Sequence, residues 1–333
     1  MRKITKSLAV ILACVTALIC SASIFVASAA EQDAVRLEHR NGSIVEYHDV
    51  VFGPSVFEQP SSVYSPQLAK LSCSLGELSE CDLVPNMQLL GIGDCYKYVS
   101  SADSNSSFPN YFIGARQMTI NGKDTAVFIL YCQGTGSSFA QIMNCLKLAT
   151  VDYCGYNVHA GFRELADELW NSLAAFIDRN PQLPKERKLL LTGFSAGAAA
   201  VNLMGLRFNT EKSNTIAQKD DVYVYGFANP NVYVGGKSDT VDFNNIFCID
   251  NLSDPIPRLP FNTVFGEWNK PGIIYVLDDD DSSSGHNFPH RNPVYLKGID
   301  SVQPGSYSTA FSFTTIFKVA QMIYYEMLYS LRG

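Results

Sequence analysis

The fold of this chain is decided by residues 188–204, KLLLTGFSAGAAAVNLM. An apolar run leads into a serine bracketed by two glycines, and an alanine-rich stretch of helical character follows it. Strand, sharp turn and helix in this order are the context of a nucleophile elbow, in which the turn pushes the serine to the edge of a sheet. Gly193 and Gly197 suit positions where a side chain would collide with the neighbouring strand or helix. The sequence therefore predicts that Ser195 is a nucleophile.

Predicted strands and helices alternate on both sides of this turn. Strands are expected at residues 111–118, 125–132, 189–191, 221–227, 246–250 and 273–277, and helices at residues 66–78, 162–180 and 196–208. The strand at 125–132 is apolar almost throughout, as a strand buried on both faces would be. The alternation predicts an α/β fold with a mostly parallel central sheet and helices on both faces.

A serine hydroxyl becomes a strong nucleophile only when a histidine accepts its proton and a carboxylate orients that histidine. The acid candidate is Asp254, which follows the strand at 246–250 at the carboxyl edge where ligands collect in open α/β sheets. An aspartate before a proline also commonly starts a turn. In α/β-hydrolases the chain order is serine, acid, histidine, and Asp254 fits that order.

Two histidines follow Asp254 in the chain, so either could be the catalytic base in this order. His286 and His290 both follow the strand at 273–277, and their spacing alone does not separate them. His159 precedes the serine, which is the wrong order for this architecture. The run of four aspartates at 278–281 reads as a solvated acidic loop and not as a calcium site.

At this point the chain resembles the class 3 lipases, the fungal-lipase-like branch of the α/β-hydrolases, from about residue 60 to residue 300. Four blocks carry the resemblance: QGT at 133–135, VHAGF at 158–162, TGFSAGA at 192–198 and DPIPRLP at 254–260. The resemblance implies an oxyanion hole formed by Thr135 and the backbone N–H of Ala196. The family's H-x-x-x-x-Y-[LI] pattern matches residues 290–296, so His290 leads as the base and His286 is the reserve. His159 is then a structural residue beside the site.

The chain departs from the family pattern around the serine. Phe194, Ala196 and Ala198 stand where histidine, leucine and glycine are usual, and Gln133 stands in place of arginine. These departures predict altered packing around the serine with the chemistry intact. Residues 137–148 occupy the position of the fungal lid, and their apolar helical face fits either a lid or a core helix.

Residues 1–30 have the pattern of a secretory signal peptide: a basic start, an apolar centre and an A-x-A cleavage site at 27–29. Residues 31–333 are predicted to form a single α/β-hydrolase domain. The net charge of the chain is −7, and the first thirty residues carry three basic and no acidic side chains, which leaves −10 for the remainder. This balance argues against nucleic acid as a partner, and we expect no stable membrane anchor after signal cleavage. The tail at 309–331 is predicted to be an apolar helix packed on the domain, with membrane contact as the alternative.

The cysteines do not have the sequence spacing of a metal site. The seven after residue 30 are Cys73, Cys81, Cys95, Cys132, Cys145, Cys154 and Cys248. None lies in a C-x-x-C or Cys/His cluster with zinc spacing, so no metal site is predicted. Cys132 and Cys248 lie in apolar runs and are expected as buried thiols. Cys73–Cys81 and Cys145–Cys154 are the nearest pairs and the best candidates if disulfides form.

These observations predict a secreted serine ester hydrolase, a triacylglycerol lipase or carboxylesterase, that needs no cofactor and acts on lipid or other esters, in some cases at a lipid–water interface. Two alternatives remain at this stage. One is a non-catalytic exported binding protein on a hydrolase scaffold, and the other is a peptidase or polyester hydrolase of the same fold.

Overall fold

A computed structural model describes residues 33–41, 44–78, 80–99, 108–135, 139–147, 149–211, 213–235, 242–262, 266–277 and 289–330. The helices are α1 (Pro66–Leu75), α2 (Glu80–Leu89), α3 (Phe139–Cys145), α4 (Ala160–Arg179), α5 (Ala196–Thr210), α6 (Asn292–Gly298) and α7 (Phe313–Ser330). The strands are β1 (Ala34–Asn41), β2 (Ile44–Val51), β3 (Cys95–Tyr98), β4 (Tyr111–Ile120), β5 (Lys123–Cys132), β6 (Thr150–Tyr153), β7 (Tyr156–His159), β8 (Glu186–Phe194), β9 (Val222–Phe227), β10 (Tyr233–Val234), β11 (Ile246–Asn251), β12 (Trp268–Asn269), β13 (Ile273–Leu277) and β14 (Gln303–Pro304).

The central sheet has eight strands in the order β14-β13-β11-β9-β8-β5-β4-β3. The five middle strands, from β13 to β5, run parallel to one another. The outer strands β14, β4 and β3 are antiparallel to their neighbours. The mostly parallel sheet predicted from the sequence is therefore confirmed.

Helices cover both faces of this sheet. Side chains of β5 alternate between two apolar clusters, with Phe128 and Leu130 on one face and Ile129 and Tyr131 on the other. The first cluster contains residues of α4 and α5, and the second contains residues of α1, α2 and α6. The sheet is thus the middle layer of three, as an α/β-hydrolase fold requires.

Two smaller sheets flank the central one. β1 and β2 form an antiparallel hairpin, and β12, β10, β7 and β6 form a four-stranded sheet. The hairpin contributes Leu37 and Val50 to the apolar cluster that contains α1 and α2. The hairpin therefore packs against helices α1 and α2 on that face of the central sheet.

The C-terminal helix α7 begins with exposed aromatic side chains. Phe313 is 81% and Phe317 70% exposed, so the expectation that this part of the tail packs on the domain is wrong. Phe311 contacts Phe261 and Phe313, which ties the start of the helix to the loop after residue 260. Within the described ranges, no helix is both long and apolar enough to cross a membrane.

Candidate active site

Ser195 lies in the sharp turn between β8 and α5. Its φ is +55° and its ψ is −119°, a conformation that costs energy for a residue with a side chain. The backbone N–H of Ser195 donates to the carbonyl of Phe227 at 2.9 Å, which fixes the turn against the neighbouring strand β9. The turn leaves the Ser195 hydroxyl without a capping bond to its own helix.

The two glycines of the turn are sterically required. A Cβ at Gly197 would lie 2.1 Å from the carbonyl oxygen of Cys132, and a Cβ at Gly193 would lie 2.5 Å from the carbonyl carbon of Gly197. Both contacts are to backbone atoms, which have little freedom to move away. The close packing of β5, β8 and α5 that presents Ser195 therefore depends on this G-x-S-x-G sequence.

The structure brings Ser195, His290 and Asp254 together in one hydrogen-bonded chain. His290 Nδ1 lies 2.7 Å from Asp254 Oδ2, and His290 Nε2 lies 3.0 Å from Ser195 Oγ. A carboxylate only accepts, so Nδ1 carries the proton and Nε2 is free to accept the serine proton. Asp254 is fully buried, and its Oδ1 accepts the N–H of Ile256 at 2.9 Å. The reserve base, His286, lies outside the described residues.

Tyr295 holds the acid of this chain. Its hydroxyl donates to Asp254 Oδ2 at 2.7 Å and accepts the backbone N–H of Asn251 at 3.1 Å. Burial raises the pKa of Tyr295 well above its usual value, so the phenol keeps its proton. The sequence alone predicted no role for Tyr295. The signal was the H-x-x-x-x-Y spacing, since α6 begins just after His290 and turns Tyr295 back toward the acid.

Phe194 packs against the base. Its ring centroid lies 5.1 Å from that of His290 and 5.6 Å from that of Tyr295. The aromatic ring that replaces the family's usual histidine therefore forms a wall behind the imidazole. Apolar contact on this side restricts the ring to the plane in which it reaches both Ser195 and Asp254.

The loop after β5 passes against the nucleophile on the other side. A Cβ at Gly134 would lie 3.0 Å from the Cβ of Ser195, and Thr135 is the next residue. Ala196 is the first residue of α5, where backbone N–H groups lack acceptors within the helix. Thr135 and Ala196 thus come from the two segments that border Ser195, where an oxyanion hole would form.

His159 lies apart from this chain of hydrogen bonds. It is fully buried at the N-terminus of α4, where its Nδ1 accepts the N–H of Phe162 at 3.2 Å. Its Nε2 therefore carries the proton and donates to the carbonyl of Cys145 at 3.1 Å. Burial lowers the pKa of His159 to about 4, so the ring is neutral and caps a helix.

Beneath Asp254 lies a buried network of hydrogen bonds that no sequence pattern indicated. Lys270 Nζ lies 3.1 Å from Asp250 Oδ2 and 2.9 Å from the carbonyl oxygen of Pro257, and it also bonds Tyr307 and the carbonyl of Asn229. The side chains of Lys270 and Asp250 are 2% and 0% exposed. Because Pro257 lies in the loop after Asp254, this network fixes the position of the acid. In the sequence, a lone lysine before Pro-Gly reads only as a turn.

The cysteines are unpaired in the structure. All seven after residue 30 are free, so neither proposed disulfide, Cys73–Cys81 or Cys145–Cys154, is present. Cys73 is buried against Asn292 while Cys81 is exposed on α2, so the two thiols belong to different surroundings. Cys132 and Cys248 are buried, as the apolar runs predicted. No cluster of metal-ligating side chains occurs in the ranges that the structure describes.

The segment at the lid position is a short helix, α3. Gln141 and Asn144 face inward and donate to the carbonyls of Phe108 at 2.9 Å and Gly161 at 3.2 Å. Met143 and Leu146, two of the apolar residues expected on one face, are 46% and 62% exposed. A core helix would bury these two side chains, so of the two alternatives the exposed face favours a lid.

The central sheet with helices on both faces and the sharp turn at Ser195 are those of the α/β-hydrolase fold. The sequence model of the class 3 lipase family matches residues 130–264. This segment runs from the end of β5, through Ser195, to the loop after Asp254. The resemblance to class 3 lipases is thereby confirmed over this segment.

Solved structures of fungal lipases resemble this chain. The triacylglyceride lipase of Rhizomucor miehei is 21% identical, with 65% of this chain and 79% of that chain covered and a TM-score of 0.45. The lipase of Rhizopus microsporus var. chinensis is 19% identical over 64% and 73%, with a TM-score of 0.44. The Lip2 lipase of Yarrowia lipolytica is 16% identical over 64% and 77%, with a TM-score of 0.40. No curated protein matches the chain.

Proposed function

We propose that this chain is a secreted serine ester hydrolase that acts on acylglycerols or similar lipid esters. The observation that carries the proposal is the hydrogen-bonded chain from Ser195 through His290 to Asp254. Residues 1–30 would act as a signal peptide, leaving residues 31–333 as one hydrolase domain. The family match over residues 130–264 supports the lipid ester as substrate class.

The proposed reaction passes through an acyl-enzyme. Ser195 Oγ attacks the ester carbonyl while His290 Nε2 takes its proton, and Asp254 stabilises the imidazolium that forms. Thr135 and the N–H of Ala196 hold the oxyanion. The tetrahedral intermediate collapses as His290 returns the proton to the leaving alcohol. Water then attacks the acyl group with the same base, and Ser195 is restored.

The first test is the loss of activity in Ser195→Ala. Hydrolysis of short p-nitrophenyl esters should fall by at least about 10⁴-fold, because no other group supplies the nucleophile. Ser301→Ala, a serine outside the site, is the matched control and should keep full activity. Labelling by a fluorophosphonate should disappear only in the first variant. Unchanged hydrolysis in Ser195→Ala would overturn the proposal, and a wild type that neither labels nor turns over would favour a non-catalytic binding protein.

The same assay tests the base. His290→Ala should abolish turnover, because His290 bonds both Ser195 and Asp254. His286→Ala should keep it. The reverse result would assign the base to His286.

A further inference from the structure

The amide side chain of Asn292 joins the segment that carries the base to helix α1. Its Nδ2 donates to the carbonyl of Cys73 at 2.7 Å and to Glu77 Oε1 at 3.0 Å. Cys73 lies in the last turn of α1, whose carbonyl groups are available to donors outside the helix. Asn292 is the first residue of α6 and lies two residues after His290. One amide group therefore connects the C-terminal end of α1 to the backbone that holds the imidazole.

A glycine makes room for this side chain. Gly76 ends α1 with a φ of −70° and a ψ of −20°, a conformation that is open to residues with a side chain. A Cβ at Gly76 would lie 2.4 Å from Asn292 Nδ2 and 2.7 Å from Asn292 Cγ. The backbone conformation does not require glycine here, whereas the close approach of the Asn292 amide does.

Helix α1 is a fixed support for this contact. Seven of its ten residues are buried. Its N-cap residue, Ser65, donates its backbone N–H to the hydroxyl of Tyr225 in β9 at 2.9 Å. The backbone of Ser195 is bonded to the end of the same strand, at the carbonyl of Phe227. The bonds of Asn292 thus attach the base segment to a helix that is held by the strand that also holds the nucleophile.

Asn292 and Tyr295 attach the first turn of α6 on two sides. Tyr295, three residues further along, donates its hydroxyl to Asp254 Oδ2 at 2.7 Å. Asn292 bonds the end of α1, on the side of the turn that is nearer to His290 in the chain. A catalytic side chain keeps its geometry only when its neighbours are locked by contacts of this kind. The two attachments together define the direction in which the chain leaves the base.

We propose that Asn292 is a positioning residue for His290. Its bonds to the end of α1 hold the imidazole where Nε2 reaches Ser195 while Nδ1 reaches Asp254. The inference rests on the proposed ester hydrolase function, since the placement of His290 matters to turnover only if His290 is the base. Asn292 acts through the backbone of residues 290–292. Both Asn292 and α1 lie outside residues 130–264, the segment matched to the class 3 lipases.

The first variant removes the amide. Asn292→Ala should lower kcat on a short p-nitrophenyl ester about 10- to 100-fold, because a misplacement of about 1 Å can cost 10²-fold in rate. KM should stay within about twofold, and the rate of fluorophosphonate labelling should fall together with kcat because labelling uses the same base. A lower melting temperature with wild-type kcat and labelling would show that Asn292 supports only the fold, and would overturn the proposal.

The second variant displaces the amide without removing a polar group. Gly76→Ala places a methyl group against Asn292, so the side chain has to turn away from α1. The loss of kcat should match that of Asn292→Ala. The double variant should lose no more than Asn292→Ala alone, because no amide is then left to displace. Gly93→Ala is the matched control and should keep wild-type kinetics, since a Cβ at Gly93 meets no atom within 4 Å.

The outcomes separate this inference from the proposed function. Wild-type kcat in Gly76→Ala, or losses that add up in the double variant, would overturn the positioning role and leave Ser195 as the nucleophile. A wild type that neither hydrolyses esters nor reacts with the fluorophosphonate would overturn the proposed function and the positioning role with it.

Discussion

At the scale of single residues, the phenol of Tyr295 supports Asp254, the acid of the proposed triad. It supplies one of the two bonds to Asp254 Oδ2, and the other comes from His290. A hydrogen bond to a charged group contributes about 1.5–3 kcal/mol. A fully buried carboxylate that loses this donor is less well solvated and less firmly placed, and the position of the imidazole depends on it.

We therefore expect Tyr295→Phe to lower kcat about tenfold with KM nearly unchanged, and to lower the melting temperature. Steady-state kinetics on a short ester and thermal unfolding are the measurements. Tyr275→Phe is the control, since the ring of Tyr275 stacks on Tyr64 at 4.1 Å. A variant that loses stability but keeps wild-type kcat would show that Tyr295 supports only the fold.

The sequence predicted the residues of the candidate site better than the residues that hold them in position. Ser195 and Asp254 stand in motifs whose spacing reflects backbone geometry, so reading along the chain finds them. Lys270 acts through contacts between segments far apart in sequence, which local patterns do not record. Tyr295 does stand in a local pattern, but that pattern does not show that its hydroxyl reaches Asp254. The choice between His286 and His290 needed the resemblance to a family, because both follow the same strand.

At the scale of elements, Lys270 joins four segments through one ammonium group. It bonds Asp250 at the end of β11, Pro257 in the acid loop, Asn229 after β9 and Tyr307 after β14. Tyr307 also donates to Asp250 Oδ2 at 2.6 Å. Removing one partner of a buried ion pair leaves the other charge without compensation.

Lys270→Met should accordingly lower the free energy of unfolding by about 3–5 kcal/mol, measured by urea denaturation. The double variant Asp250→Asn with Lys270→Met should recover part of this loss, because no charge then remains buried. Lys219→Met is the control, since its pair with Asp242 is exposed and contributes less than about 1 kcal/mol. Equal losses in the single and double variants would contradict this account.

Several of the missed elements were missed for a physical reason. The strands of the four-stranded sheet are two to four residues long, too short for a hydrophobic period to show. Helix α2 contains Pro85, which argues against a helix when only the sequence is read. By contrast, β5 and α4 are long and strongly patterned, and their positions were predicted to within two residues.

At the scale of the whole molecule, the stability depends on a carboxyl group buried between α1 and α6. Burial raises the pKa of Glu77 to about 7, although the amide of Asn292 favours its charged form. His39, on strand β1, faces two carboxyl groups. Its Nε2 lies 4.0 Å from Glu77 Oε2, and its Nδ1 lies 4.0 Å from Asp82 Oδ2. Between about pH 4.5 and pH 7 the folded chain therefore holds a proton on Glu77 that the unfolded chain has lost.

The free energy of unfolding therefore falls as the pH rises from about 4.5 to about 7. The unfolded chain loses the Glu77 proton freely in this range, whereas the folded chain can lose it only by burying a charge. Glu77→Gln should stabilise the protein by about 2–3 kcal/mol at pH 8 and by much less at pH 5. Urea unfolding of wild type and variant at both pH values measures the difference. An equal effect at the two pH values would argue against a titrating Glu77.

The order in which the triad residues occur along the chain has a consequence for biosynthesis. Nucleophile and acid are present once residue 254 has been made, but the base and its supporting tyrosine come only with residues 290 and 295. The ammonium group beneath the acid finds its last partner at Tyr307. Under the proposed function, a chain that stops before residue 290 would carry the nucleophile without its base. Ester hydrolysis would then begin only once nearly the whole polypeptide has been translated.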